Sequence, residues 1–419
     1  TLIDYSKQRK INVLLLITGS IAAVRIPTLV SSLVQNNFEV KCVLTKNAEK
    51  LVQPLSLSIL SRNKCILDDD QWVKSSSSPL HINLSEWADI IIIAPLTATT
   101  LSKWATGNAD SLVSSILIAN QKPSIAAPAM NSNMWLNNAV QNNFKKIKAY
   151  PNVLTLKPYE GLLACDQFGI GKIASNEHII LALQFLLIQE KNFNFLDLSK
   201  KSFLITGGAT TEKIDFARSI TNNSSGEMGL CLAQIAQFRG AKVKYIHGPL
   251  NVNGDIGEGI EKLEIRNGND LHIAIKNDIE NYDYLIMNAA VTDIKLTNNI
   301  CSKVPKNELH NHLVNNIELV PDILQEVCKY KKNNQLFIGF CAFSGSLENL
   351  RPIIKNKLHN KNCDLIFANP IDVEGQGFGY SAQNEGWLFD KYTMEFHIKK
   401  TSKFDLANKL INKIISIDK

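Results

Sequence analysis

The residues able to do chemistry in this chain collect where apolar runs stop. The run at 11–17 ends in Thr18-Gly19-Ser20-Ile21, and another at 202–206 ends in Gly207-Gly208. Gly and Ser after a strand let backbone N–H groups face a phosphate, at the sheet edge where α/β proteins bind ligands. Neither turn reads G-x-G-x-x-G, and neither carries a Walker A lysine. Pattern alone therefore gives two phosphate-binding domains, neither an ordinary dehydrogenase nor an ordinary NTPase. Pro95-Leu96-Thr97-Ala98-Thr99-Thr100 and the segment from Pro128 to Trp135 close two further runs, and His81 falls shortly before Trp87-Ala88-Asp89. A lone His is usually structural. Cys165 sits in a loop flanked by Gly161, Gly169 and Gly171, where a thiol on its own reads as a chance surface group. His and Cys are also the side chains that supply acid and base near neutral pH. Lys357 and Lys361, four apart, read singly as a solvated helix face.

These groups need elements to hold them. Runs at 11–17, 39–45, 89–94 and 124–127 are strand-length and apolar, with helix-length stretches between them, the first reaching Gln35. That pattern predicts a parallel sheet covered on both faces. The same syntax restarts after Lys191-Asn192-Phe193-Asn194, with strands at 202–206, 242–246, 284–288, 337–340 and 364–367 and a helix from about Gly229. The expected organisation is α/β: two Rossmann-like three-layer domains with mainly parallel sheets, residues 1–194 and 195–419. The halves share syntax but no sequence period, which makes this a fusion and not a repeat array. Residues 75–78 are a polar loop inside the first half.

With 419 residues and 45% hydrophobic side chains, the chain has material for two cores. Its apolar runs are too short to span a bilayer, and no signal-peptide pattern opens it, so the expected location is cytoplasmic. Eight scattered cysteines with no C-x-x-C pair argue against a disulfide framework and against a zinc site. The net charge of +6 is spread among acidic residues without a basic arm, which excludes nucleic acid as the expected partner. His310-Asn311-His312 lacks a Cys or carboxylate spaced to complete a metal site and reads as a polar loop.

The first-half segments resemble the flavin-containing cysteine decarboxylases. Pro128-Ala129-Met130-Asn131-Ser132-Asn133-Met134-Trp135 matches their P-x-M-N-x-x-M-W signature in full. Pro95–Thr100 is similar to their PASANT motif, with Thr99 where that motif has Asn. Gly19-Ser20-Ile21-Ala22 resembles their FMN-phosphate turn, and His81 stands in the context of their catalytic His. Ala164-Cys165-Asp166 and Gly169-Ile170-Gly171-Lys172-Ile173 resemble a flap that carries a proton-donating Cys, with its second Gly lost and Lys172 in place of Arg. The resemblance implies FMN held by Gly19, Ser20, Ile21, Thr45, Pro95, Thr97, Ala98 and Met130. It further implies that His81 assists oxidative decarboxylation, Asn131 holds the substrate carboxylate and Cys165 donates the proton. Direct loss of CO₂ from a cysteine carboxylate would leave an unstabilised carbanion; a flavin offers the electrons a sink.

The second half resembles the phosphopantothenate–cysteine ligases. Gly207-Gly208, Asp215, Arg218, Ile220-Thr221-Asn222-Asn223-Ser224-Ser225-Gly226-Glu227-Met228-Gly229, Asn288-Ala289-Ala290-Val291-Thr292-Asp293, Lys303, Pro321-Asp322-Ile323, Gly339-Phe340, Lys357 and Lys361 all match in place. The implied nucleotide site contains Gly207, Gly208, Ser224, Ser225, Asn288, Ala289, Asp293, Lys303, Pro321, Asp322, Ile323, Phe340, Lys357 and Lys361. Lys303 would assist activation, while Asn222 and Arg218 would act on the acyl-nucleotide. CTP, Mg²⁺, 4′-phosphopantothenate and cysteine are the implied partners, with trimers through the FMN half and dimers through the ligase half. Glu227 occupies a slot usually basic, Phe343 one commonly Glu, and Ala382 one for Asp. A decarboxylase with a weakened ligase half and a non-catalytic regulatory flavoprotein are the competing expectations. A flavin prenyltransferase would share the FMN fold but not the second half.

Overall fold

Val, Leu and Ile fill successive positions of the strands because helices cover both faces and no position meets water. In the computed structural model, which describes residues 9–72, 78–164, 166–189, 195–251, 255–297, 302–373, 383–392 and 394–417, this holds for the inner strands of both main sheets. Cys165, Ala382, residues 75–77 of the polar loop and the stretch Lys191-Asn192-Phe193-Asn194 lie outside the described residues. The chain divides into two units, Leu2–Phe195 and Leu196–Lys419.

In the first unit β1 (Asn12–Ile17), β2 (Glu39–Leu44), β3 (Ile66–Leu67), β4 (Ile90–Leu96), β5 (Ser124–Pro128) and β6 (Val153–Thr155) form one parallel sheet in the order β3-β2-β1-β4-β5-β6. Without the two-residue edge strand β3, the order is 2-1-3-4-5, that of flavodoxin. All of β4 is buried, and all of β1 but Asn12 is at most 1% exposed. Each such aliphatic side chain contributes about 1.5–3 kcal/mol. The helix Ile26–Gln35 turns Ile26, Leu29, Val30 and Leu33 inward, the spacing of one helical face. The chain leaves β1 in one direction for β2 and β3 and in the other for β4, β5 and β6. The switch point therefore lies between β1 and β4, whose carboxyl ends are tied together: Thr18 Oγ1 donates to the Pro95 carbonyl at 2.6 Å and accepts from Thr97 N at 3.1 Å. A separate antiparallel hairpin, β7 (Tyr159–Leu162) and β8 (Phe168–Lys172), follows.

The second unit holds β9 (Ser202–Gly207), the arm β10 (Thr211–Lys213) with β11 (Ser219–Thr221), β12 (Lys242–His247), β13 (Ile260–Glu264), β14 (Tyr284–Met287), the arm β15 (Ile294–Leu296) with β16 (Ile317–Leu319), β17 (Leu336–Phe343), β18 (Leu365–Pro370), β19 (Gln383–Asp390) and β20 (Glu395–Ser402). Its main sheet runs β13-β12-β9-β14-β17-β18-β19-β20, parallel up to β18 and antiparallel beyond. The switch point falls between β9 and β14. Phe203 and Tyr284 stack across that pair with centroids 4.4 Å apart. The strands the sequence leads one to expect are present within a few residues. The hairpin, both arms, β3, β6, β13 and the antiparallel edge are additions, most of them short or solvent-facing, while β19 alternates buried Asn384, Gly386 and Leu388 with half-buried residues.

Candidate functional site

The first site is built on the turn after β1. A Cβ on Gly19 would stand 2.5 Å from the Asn47 Cβ, so the turn closes against the loop after β2 only because residue 19 lacks a side chain. Ser20 then accepts from Ala22 N (3.4 Å) and starts the short turn Ile21–Arg25. Above it is a cavity of about 430 Å³, walled by Ser20, Ile21 and Arg25, by Met130 and Asn131 after β5, by Leu162, Leu163 and Ala164 of the hairpin, and by Lys172. Asn131 is fixed as a cap: its Oδ1 accepts from Asn133 N at 2.8 Å, at the start of the helix Ser132–Leu136. The hairpin is seated by Met130 N, which donates to the Gly171 carbonyl at 3.0 Å. Its tip is shaped by Asp166, which takes a left-handed φ of 58° and donates from N to the Leu163 carbonyl. Asp is one of the few residues besides Gly that tolerate that conformation, so the lost flap glycine leaves the turn intact.

His81, Thr45, Pro95, Thr97 and Ala98 do not line this cavity. Thr45 N donates to the Ile17 carbonyl (3.1 Å), and Thr97 caps the helix Ala98–Thr106, so Thr45, Pro95, Thr97 and Ala98 border the switch point. His81 is half-buried on the helix Leu80–Trp87. Asn12 Nδ2 donates to the Trp87 carbonyl at 2.9 Å, which sets the helix end at the amino edge of the sheet. Six residues back is about 9 Å along the axis, toward the carboxyl edge. Sequence reasoning missed Arg25, a cation in the cavity wall whose only sequence signal is its place just after the phosphate turn. The volume lies in the range of small-ligand sites. Mostly apolar walls, a Gly-Ser turn and two cations suit a flat apolar ring with an anionic tail, which is what FMN is.

The second site is a cleft of about 500 Å³ beyond the carboxyl ends of β14 and β17. It gathers Asn222, Asn288, Ala289, Asp293, Pro321, Asp322, Ile323, Phe340, Lys357 and Lys361, together with Cys341 and Asn369, which no motif singled out. Asn222 Nδ2 donates to the Val291 carbonyl (2.9 Å) and closes one side. Asp322 accepts from Gln325 N (3.0 Å), capping the helix Ile323–Cys328, and its other oxygen meets Lys361 Nζ at 2.7 Å. Lys357 Nζ donates to Cys341 Sγ at 3.2 Å. Both lysines thus project from one helix, Leu347–Lys361, into the cleft.

Gly207, Gly208, Ser224 and Ser225 support the cleft without lining it. Gly208, at φ 75°, accepts from Ala290 N through its carbonyl (2.9 Å), and Thr210 Oγ1 accepts from Thr292 N (3.0 Å). Ser224 and Ser225 accept from the N–H groups of Gly226 and Glu227, ahead of the helix Glu227–Phe238. Lys303 is exposed and outside the cleft; Arg218, half-buried, is also outside it, and its Nε and Nη2 reach Asp215 at 3.0 and 2.6 Å. Burial would raise the Asp215 carboxyl, but the Arg218 guanidinium and the N–H groups of Ala217 and Val304 outweigh it and hold it at about 2. Two departures from the family pattern have structural partners: Glu227 pairs with Lys403 at 2.7 Å, and Phe343 packs edge-on to Trp387.

The fold and sites define a two-unit α/β protein with a separate anion-suited cleft at the carboxyl edge of each main sheet. A family described as Flavoprotein matches residues 2–187, and one described as DNA/pantothenate metabolism flavoprotein C-terminal domain matches residues 198–417. The coenzyme A biosynthesis bifunctional protein of Borreliella burgdorferi is 34% identical over 401 residues, covering 96% of this chain and 98% of that one. Its counterpart in Bacillus subtilis is 32% identical over 408 residues, 97% of each chain. Among solved structures, a PPC decarboxylase mutant complexed with pantothenoylaminoethenethiol is 32% identical, covers 43% of this chain and 100% of its own, and superposes with a TM-score of 0.40. The chain belongs to the family of coenzyme A biosynthesis bifunctional proteins, and its first half is a flavoprotein domain. Among the described residues no helix is long and apolar enough to cross a membrane.

Proposed function

We propose that this chain catalyses two consecutive steps of coenzyme A biosynthesis: residues 195–419 join 4′-phosphopantothenate to cysteine using CTP, and residues 1–194 decarboxylate the product to 4′-phosphopantetheine. The observation that carries the reading is the pair of clefts, one at the carboxyl edge of each main sheet, in a chain similar to the bifunctional enzymes along nearly its whole length. FMN, when bound, takes up and returns the two electrons that decarboxylation requires. Arg25, Lys172 and the Gly19-Ser20 turn would hold its anionic groups, and Met130 and the hairpin would shield the cavity from water. Asn131, locked by its cap, receives the substrate carboxylate; His81 exchanges a proton with the substrate, and Cys165 returns one.

In the second unit the carboxylate of phosphopantothenate displaces pyrophosphate from CTP, and the cysteine amine then displaces CMP from the acyl-nucleotide. Lys303, Lys357 and Lys361 balance the phosphate charge, and Mg²⁺ accompanies the triphosphate, with Asp293 as the cleft carboxylate other than Asp322, which pairs with Lys361. Glu227 and Phe343 do not favour a weakened ligase, because their partners lie outside the cleft. Homo-oligomers are part of the same reading: Ile21, Val24, Leu162 and Phe168 are exposed on the first unit, and Val314, Ile317 and Leu319 by the second arm. The test is purified protein with 4′-phosphopantothenate, cysteine, CTP and Mg²⁺, followed by mass spectrometry. The expected product is 4′-phosphopantetheine; no nucleotide-dependent product from a flavin-loaded preparation would remove the ligase half of the proposal.

A further inference from the structure

Lys303 sits on a stretch of irregular chain, and its side chain is exposed. A lysine so placed can act on a reacting phosphate only if its backbone is held. The hold is on the next residue. The Asp215 side chain is fully buried and its Oδ2 accepts from Val304 N at 3.1 Å, while Arg218 Nη2 donates to the Val304 carbonyl at 2.5 Å. Both backbone polar groups of one residue are therefore gripped by a single ion pair from a turn almost ninety positions earlier. Asp215 is itself fixed: Oδ1 accepts from Ala217 N (2.7 Å) and Arg218 N (2.8 Å), and Oδ2 takes the Arg218 fork. Val304 is buried beneath the pair.

We propose that Asp215 is a positioning residue of the ligase, and that it works with Arg218 as a clamp on Val304 that sets where Lys303 stands. The inference rests on the reading that Lys303 acts in acyl-nucleotide formation. It gives Arg218 a part in aiming the lysine, through contacts with Asp215 and Val304 rather than with the nucleotide. The planar Arg fork suits this task, because it can hold a carboxylate and still reach a carbonyl with the same nitrogen. A displacement of about 1 Å at a charged catalytic group costs on the order of a hundredfold in rate.

The test uses the full chain loaded with FMN and compares wild type with Asp215→Asn, Arg218→Lys, Lys303→Gln, and each of the first two combined with Lys303→Gln. Single-turnover formation of the acyl-nucleotide is followed by quenching and mass spectrometry. Decarboxylation of supplied phosphopantothenoylcysteine by the same chain calibrates enzyme concentration. Asp215→Asn and Arg218→Lys should each slow acyl-nucleotide formation by about 10- to 100-fold with little change in the KM for CTP, and neither should add to the loss in the Lys303→Gln background. Full multiplication of the two losses, or a raised KM with unchanged turnover, overturns the clamp. Wild-type rates from Asp215→Asn overturn it too. If Asp215→Asn does not fold, Arg218→Lys, which keeps a cation beside the carboxylate, decides the question by the same criteria. Lys303→Gln at wild-type rate would instead refute the underlying reading, and the two failures are distinguishable.

Discussion

Gly171→Ala is the substitution that tests whether the hairpin must seat on Met130. Gly171 has φ 149°, and a Cβ there would lie 3.2 Å from the Met130 carbonyl carbon, 3.4 Å from that of Asn131, and against the Met130 oxygen itself. The obstructing atoms are backbone, so no rotamer change makes room. Holding the native geometry would cost about 1–3 kcal/mol in backbone strain and about 1–3 kcal/mol in overpacking. Lifting the hairpin costs less: the bond between Met130 N and the Gly171 carbonyl, worth about 1 kcal/mol, plus some apolar contact. The hairpin should therefore lift while the sheet stays folded. The first unit should stay folded and, because the hairpin supplies Lys172 and part of the cavity wall, hold flavin more weakly, while decarboxylation measured at saturating FMN falls by about 10- to 100-fold through displacement of the tip. Absorbance of the purified protein, a thermal melt and initial rates of CO₂ release make the measurement. Wild-type turnover from Gly171→Ala would show that the hairpin need not seat on Met130 and would refute the reasoning.

The remaining expectations concern proton transfer, pH and one ion pair. His81→Asn should keep the flavin but prevent its bleaching by substrate, whereas Cys165→Ser should allow bleaching and CO₂ release and accumulate a product two hydrogens short; identical behaviour of the two variants would merge their roles. Asp215 is held at about 2, below its ordinary 3.8, so its contribution to stability is complete above 3.8 and disappears as pH falls through 2. Denaturant melts of wild type and Asp215→Asn from about pH 5 to about pH 2 should therefore converge as the pH drops, and a constant gap would contradict the depressed carboxyl. Glu227→Lys, which restores the family's usual charge, sets a second ammonium against Lys403, whose side chain is 4% exposed. Because Glu227 itself is 31% exposed, the cost should be about 1–3 kcal/mol, read as a lower midpoint for the second unit with decarboxylation unchanged.

The spines of both sheets were legible in the chain because a strand covered on both faces has to be apolar along its length. β1, β4 and β9 are such strands, and Gly19 and Gly207 mark their ends. The signatures around Asn131 and Asn222 were legible through their resemblance to family motifs, and in the fold their Asn and Ser residues accept from local N–H groups. β13 was not legible, since only Ile260 of its five residues is buried, and each strand of the two arms is three residues long. Nor was the hairpin, whose glycines read as a loop until β7 paired with β8. The contents of the sites depended on the tertiary structure most of all. Arg25 and Lys172 share a cavity, Cys341 meets Lys357, and Asp215 reaches Val304 because sheet order and crossovers bring distant segments together. Periodicity reports whether an element is buried and on which face. It carries no information about which other element supplies the covering, and that is decided only when the strands take their order in the sheet.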